Sequence, residues 1–295
     1  MHHFDPAAVP LIRCCGMRRF PGLRRGRTAP AGVAPLKAEH FKKERVMMKT
    51  TSALGMVLLL LAGCATSGPP VDKAKMSEGY YMKGLSYLQD RNLELALVEF
   101  ERAIQTDKKN KNPYYALGIV NDMQGKYDEA VKYYKEALDI DSDFSEAHNA
   151  LGVVYTKQEK WKDAIKSFQR ALENKLYTTP HLPHLNMGDL HMARKEYGKA
   201  VDSYRDSKRY VTLELTVYKL GMALYDAGRV MEAVAEFREG VDLSPKNANM
   251  RYGLALSHLK DGNKKAAAAE FRKAAELAPN SEIALKAQDY IKTLR

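Results

Sequence analysis

Few side chains in this sequence have the chemistry of a reactive site. Of eight histidines, His181, His184 and His191 stand close together. A metal would need further ligands at regular spacing, and no cysteine or carboxylate completes a set around them, so ordinary loop histidines and no metal are predicted. No GxSxG elbow, P-loop, HExxH or paired-carboxylate pattern occurs. The sequence therefore predicts no catalysis, no cofactor and no small-molecule substrate. Of three cysteines, Cys14, Cys15 and Cys64, one has a telling context. Cys64 closes the run Met48-Lys49-Thr50-Thr51-Ser52-Ala53-Leu54-Gly55-Met56-Val57-Leu58-Leu59-Leu60-Leu61-Ala62-Gly63-Cys64. Its thiol is the best nucleophile among ordinary side chains near neutrality, and so an apt acceptor for a covalent group. The apolar stretch before it is far shorter than the roughly 20 residues a bilayer span requires, which predicts a signal-peptide core.

Leu61-Ala62-Gly63-Cys64 resembles the lipobox of bacterial lipoproteins. That resemblance implies a signal peptide over residues 48–63, cleavage before Cys64 and a diacylglyceryl group on its sulfur. Ala65, in place of an acidic residue, implies sorting to the periplasmic face of the outer membrane. A chain starting at Cys64 keeps no other thiol, which suits an oxidising compartment. Residues 64–76, with Gly68-Pro69-Pro70, are expected to form the lipidated cysteine and a flexible tether. Residues 1–47, with Arg18-Arg19 and Arg24-Arg25, carry no helical or strand period. They read as a disordered segment upstream of the true start at Met47 or Met48, outside the fold.

The net charge of +11 divides unevenly. Residues 1–63 hold 11 basic and 3 acidic residues, leaving 36 basic against 33 acidic in the rest. A body that close to neutral, with its charges interspersed, is a solvated surface and not a phosphate-tracking stripe, so no nucleic-acid partner is predicted.

From Ser77 onward one pattern returns six times: a glycine, an alanine twelve residues on, and an aromatic four beyond that. It reads Gly84-Ala96-Phe100, Gly118-Ala130-Tyr134, Gly152-Ala164-Phe168, Gly188-Ala200-Tyr204, Gly221-Ala233-Phe237 and, with alanine first, Ala255-Ala267-Phe271. Successive alanines are 34, 34, 36, 33 and 34 residues apart. Small residues let two helices approach, and the aromatic one turn after the alanine lies on the same buried stripe. Such a pair cannot bury both faces alone, so neighbours must stack. Glycines in Gln124-Gly125-Lys126 and Ala227-Gly228-Arg229 are expected to end one helix and reverse the chain. Pro113 is expected at a first helical position, and Trp161 in a loop-to-helix turn. In the fourth repeat Tyr177-Thr178-Thr179-Pro180-His181-Leu182-Pro183 adds two residues and sets two prolines before the first helix. This is either a tolerated insertion or a kink separating repeats 1–3 from 4–6.

The pattern resembles the tetratricopeptide repeat, a 34-residue pair of antiparallel helices. The resemblance implies an all-α, right-handed superhelical solenoid of six helix pairs over residues 77–281 (77–110, 111–144, 145–180, 181–213, 214–247 and 248–281), with a capping helix over 282–295. It also implies that the first helices line a protein-binding groove. Its fifth positions are Tyr81, Tyr115, Asn149, Leu185, Tyr218 and Tyr252. Its ninth positions are Leu85, Ile119, Val153, Asp189, Met222 and Leu256. The tyrosines, which offer area at low entropic cost and a polar handle, are expected to project clear of the alanine–aromatic stripe. The lipobox, the tether, six repeats and the segment Leu176-Tyr177-Thr178-Thr179-Pro180 together resemble the type IV pilus biogenesis/stability lipoproteins of the PilW/PilF (pilotin) family. That family likeness implies a scaffold that helps an outer-membrane secretin assemble. The alternative within binding proteins is an adaptor for cell-envelope enzymes such as murein hydrolases, or for polysaccharide export.

Overall fold

A computed structural model describes residues 72–294, which are helical with no strand. Cys64, the signal-peptide segment, most of the tether and the upstream residues lie outside the described residues. The helices run as α1 (Lys73–Gln89) and α2 (Leu93–Thr106), then α3 (Lys111–Met123) and α4 (Tyr127–Ile140), then α5 (Ser145–Lys157) and α6 (Trp161–Glu173). They continue with α7 (His181–Ala193) and α8 (Tyr197–Tyr210), α9 (Glu214–Asp226) and α10 (Val230–Leu243), α11 (Ala248–Lys260) and α12 (Lys264–Leu277), and the single α13 (Glu282–Thr293). First helices begin at residues 111, 145, 181, 214 and 248, and α13 at 282, where the repeat pattern places them. The exception is α1. It starts at Lys73, so residues 73–76 are its first turn and not tether, because the Asp72 carboxylate accepts the otherwise orphaned Lys75 N–H.

Each helix packs on the next, and consecutive first helices also touch: α1 on α3, α3 on α5, α5 on α7, α9 on α11, and α11 on α13. Consecutive second helices do not bring their backbones as close together. Helices closer together on one side of a stacked array mark its inner side, so the first helices line the inner face and the second helices the outer one.

Inside each pair the aromatic of the second helix lies against the glycine of the first. A Cβ at Gly84, Gly118, Gly152, Gly188 or Gly221 would fall closer than 3.0 Å to the ring of Phe100, Tyr134, Phe168, Tyr204 or Phe237 respectively. The glycine makes room for a ring, a narrower role than letting two backbones approach. Ala96, Ala130, Ala164, Ala200, Ala233 and Ala267, with Phe271, are fully buried at the same crossings. The turn inside each pair demands a positive φ at one residue. Gly125, Gly228 and Gly262 supply it in repeats two, five and six, whereas Arg91, Glu159 and Lys195 adopt φ of 57–58° in the others. Glycine is thus preferred there but not required, at a cost of about 1–2 kcal/mol for each side chain held in that region.

Pro113 and Pro183 occupy the third position of α3 and α7: Pro113 lies two places beyond the first helical position expected for it, and Pro183 lies inside its helix and not before it. The cost remains nil, since no N–H in the first turn has a helical acceptor. Trp161 opens α6 and packs against the buried cluster of Ala164, Phe168 and Leu190. That cluster joins α6 to α7, so the core continues across the insertion. The first-helix contact that thins is the next one, α7 to α9, where a side-chain ion pair takes its place: Lys219 Nζ lies 2.5 Å from Asp189 Oδ2.

Candidate protein-binding face

The inner face carries two aromatic clusters with a polar stretch between them. Toward the N-terminal end, Tyr81 leans on Phe100 with centroids 5.9 Å apart, and Tyr115 on Tyr134 at 5.7 Å. Toward the C-terminal end, Tyr218 meets Phe237 at 6.1 Å and Tyr252 meets Phe271 at 5.5 Å. All four tyrosines are half-buried. The expectation that they stand clear of the alanine–aromatic stripe is therefore overturned: each lies directly on it. The reason is geometric. The ring facing the glycine also presents an edge toward the fifth position one turn earlier on the first helix, so a large side chain there packs on that edge.

The neighbours of these rings come from elsewhere in the chain. Phe144, at the N-cap of α5, tilts against Tyr115 at 5.1 Å, and Tyr177, from the insertion before α7, is buried. Burial holds the Tyr115 phenol well above the usual tyrosine range, and the negative fields of Tyr177, Glu146 and Tyr81 add to it. Tyr177 is itself raised by burial and by Glu146. At the other end Tyr290 of α13 stacks on Phe271 at 4.8 Å and meets Tyr252 at 6.4 Å. Tyr252 is raised as well, first by burial and then by Tyr290, Tyr218 and Tyr225.

Between the clusters the fifth and ninth positions change character. Asn149 accepts a hydrogen bond from Asn186 Nδ2 at 2.9 Å. Asp189 accepts from the Tyr204 hydroxyl at 2.6 Å and pairs with Lys219. Leu185 is buried and belongs to the core of repeats four to six. Leu85, Ile119 and Met222 are partly buried at the edges of the core clusters. Sequence spacing singled out Tyr81, Tyr115, Asn149, Tyr218 and Tyr252. It gave no hint of Phe144 or Tyr290, which arrive from a cap and the terminal helix, nor of the burial of Tyr177 in the insertion, nor of the Asn186 and Lys219 partners.

The three histidines lie in helix α7 and not in a loop, and on it they part ways. His184 stacks on Tyr210 at 5.6 Å, and burial lowers its pKa. His191 Nδ1 sits 2.7 Å from Glu196 Oε2. Among the described residues no three histidine, cysteine, aspartate or glutamate side chains gather to hold a metal. No described helix is long and apolar enough to cross a membrane.

Models described as tetratricopeptide repeat match residues 77–110, 145–175 and 218–282, and one described as TPR repeat matches residues 123–159. Together they reach across just over half of the 295 residues. A peroxisomal targeting signal receptor of Kluyveromyces lactis is 33% identical over 85 residues, 28% of this chain and only 15% of the receptor's length. The fold is similar to that of PilW, described as a widely conserved type IV pilus biogenesis factor, with a TM-score of 0.65 and 19% identity over 72% of this chain and 98% of that one. Pseudomonas aeruginosa pilF aligns with a TM-score of 0.63 at 21% identity, over 74% of this chain and 98% of its own. YrrB, described as a TPR protein with an unusual peptide-binding site, aligns at 0.53 and 22% identity, over 64% of this chain and 97% of its own. With six helix pairs in the matching register, the chain belongs to the tetratricopeptide repeat proteins.

Proposed function

We propose that this protein is a non-catalytic lipoprotein scaffold, held on the periplasmic face of the outer membrane by an acylated Cys64, whose inner face binds a segment of an outer-membrane secretin and assists its assembly in type IV pilus biogenesis. The observation that carries the binding part is the pair of tyrosine clusters. Each half-buried tyrosine is braced on a core aromatic. A partner therefore meets rings already held in place, and little side-chain entropy is lost on contact. The polar stretch of Asn149, Asn186 and Asp189 would then fix the bound segment's register. The pilus assignment is supported by the fold's likeness to PilW and pilF over nearly the whole of those chains. The anchor is supported by the Leu61-Ala62-Gly63-Cys64 sequence. Two or three acyl chains give stable attachment where one binds only marginally.

The test has two arms. Cys64→Ser is expected to abolish detergent-phase partitioning and labelling by a palmitate analogue; equal membrane retention of the variant would end the lipoprotein reading. Purified secretin periplasmic domains are expected to bind the chain and to lose binding when Tyr81 and Tyr252 are replaced by serine. Binding unchanged by that pair of substitutions would remove the inner face as the site.

A further inference from the structure

The outer face differs sharply between two equivalent steps of the array. Where α8 meets α10, Lys208 reaches across to Glu236 at 2.6 Å and Glu239 at 2.7 Å, and Arg205 reaches Glu232 at 2.6 Å. Counted from the repeat alanines, the places of Lys208, Glu236, Glu239 and Arg205 are held at the first step, α2 to α4, by Ile104, Tyr133, Glu136 and Glu101. The bridging cation has become an aliphatic residue, and Arg205's place has become a carboxylate. What remains is a cleft of about 500 Å³ floored by Ile104, Tyr114, Leu117, Tyr133 and Ile140. Glu101, Glu136 and Asp139 rim it, against Lys108 alone. Among the described residues Glu101 pairs with no cation. Glu136 has only Lys132 of its own helix, 3.9 Å away and largely exposed. The field of this rim reaches the floor. Tyr133 is raised by burial and then by Glu101, Glu136 and Glu129, and Tyr114 by burial and then by Glu136 and Asp107.

We propose that the α2/α4 cleft is a second protein-binding site, on the outer face, which takes a lysine or arginine side chain of a partner protein. The cation sits between Glu101 and Glu136, and its aliphatic stem lies on Ile104, Tyr133 and Ile140. The partner supplies what Lys208 supplies within the chain at the α8/α10 step. Long cationic side chains suit such a place because the stem buries against apolar surface while the head keeps its charge partners. The tyrosine faces add attraction for the cation.

The probe is the peptide acetyl-Ala-Leu-Lys-Ile-Ala-amide, with norleucine in place of lysine as its uncharged match, titrated into the ¹⁵N-labelled full chain. The lysine peptide is expected to shift backbone amides of residues 101–108 and 133–140 and to weaken as salt rises. The norleucine peptide is expected to bind about tenfold more weakly. Ile104→Lys, which rebuilds the internal bridge, is expected to abolish binding. Glu101→Gln with Glu136→Gln is expected to weaken it to the norleucine level. The reciprocal triple Arg205→Glu, Lys208→Ile and Glu236→Tyr is expected to open a second site on α8 and α10. Equal binding of both peptides, full binding by Ile104→Lys, or shifts confined to the inner-face tyrosines would overturn the proposal. So would the same amide shifts appearing on concentrating the chain alone, which would assign the cleft to a second copy.

Discussion

The two aromatic clusters of the inner face start from the same plan and end at different depths. Tyr115 and Tyr252 hold the same place in their repeats, and each leans on the second-helix aromatic at similar distance, 5.7 and 5.5 Å. What covers them differs. Tyr115 is overlain by Phe144 at 5.1 Å, with Tyr177 of the insertion packed in the same region. Beside Tyr252 stands the cap-helix ring of Tyr290, farther off at 6.4 Å. The core beneath sets where a ring rests; the next element along the chain sets how much water still reaches it. A residue at a groove position can therefore be mainly structural in one repeat and mainly accessible in another.

The strongest way to break this comparison is truncation. Tyr115→Ala is expected to cost about 2–3 kcal/mol in urea denaturation, toward the range for buried aromatics, and Tyr252→Ala about 1 kcal/mol. Equal losses would mean that the loop residues add nothing. A smaller effect comes from the polar stretch between the clusters. Asp189→Asn leaves Lys219 without its counter-charge and weakens the acceptor for the Tyr204 hydroxyl. It is expected to destabilise the chain by about 1–2 kcal/mol. A stability within error of the parent would show that the α7–α9 step needs no bridge. The smallest effect is alkaline. A phenol whose folded pKa lies above its unfolded value near 10 contributes stability that is fully present below about pH 10 and lost as pH rises through the folded pKa. Tyr115→Phe is expected to flatten the fall in denaturation midpoint above about pH 10, and Tyr252→Phe to flatten it less. The reverse order would place the deeper burial at the C-terminal cluster.

Much of the fold is legible in the order of residues alone. The glycine–alanine–aromatic spacing located every first helix but α1, because small residues and rings at helical intervals leave one way to pack a pair. The start of α1 escaped because one carboxylate, Asp72, decides it, and a single cap carries no period. The groove row was legible in part. Spacing placed Tyr81, Tyr115, Tyr218 and Tyr252 on one face but could not say that they rest on Phe100, Tyr134, Phe237 and Phe271. That contact depends on how far two helices lie apart and not on the count of residues between them.

The sequence by itself determined the helix pairs, their number and the stripe that holds them, since these follow from periodicity and local side-chain size. Only the tertiary structure decided how deeply each tyrosine sits and which partners meet from afar. Asn186 with Asn149 and Lys219 with Asp189 are separated by 37 and 30 residues, and Ile104 opens a cleft only because Tyr133 stands opposite. Such pairings depend on the rotation between neighbouring repeats, a sum of many weak packing contacts that no single residue encodes.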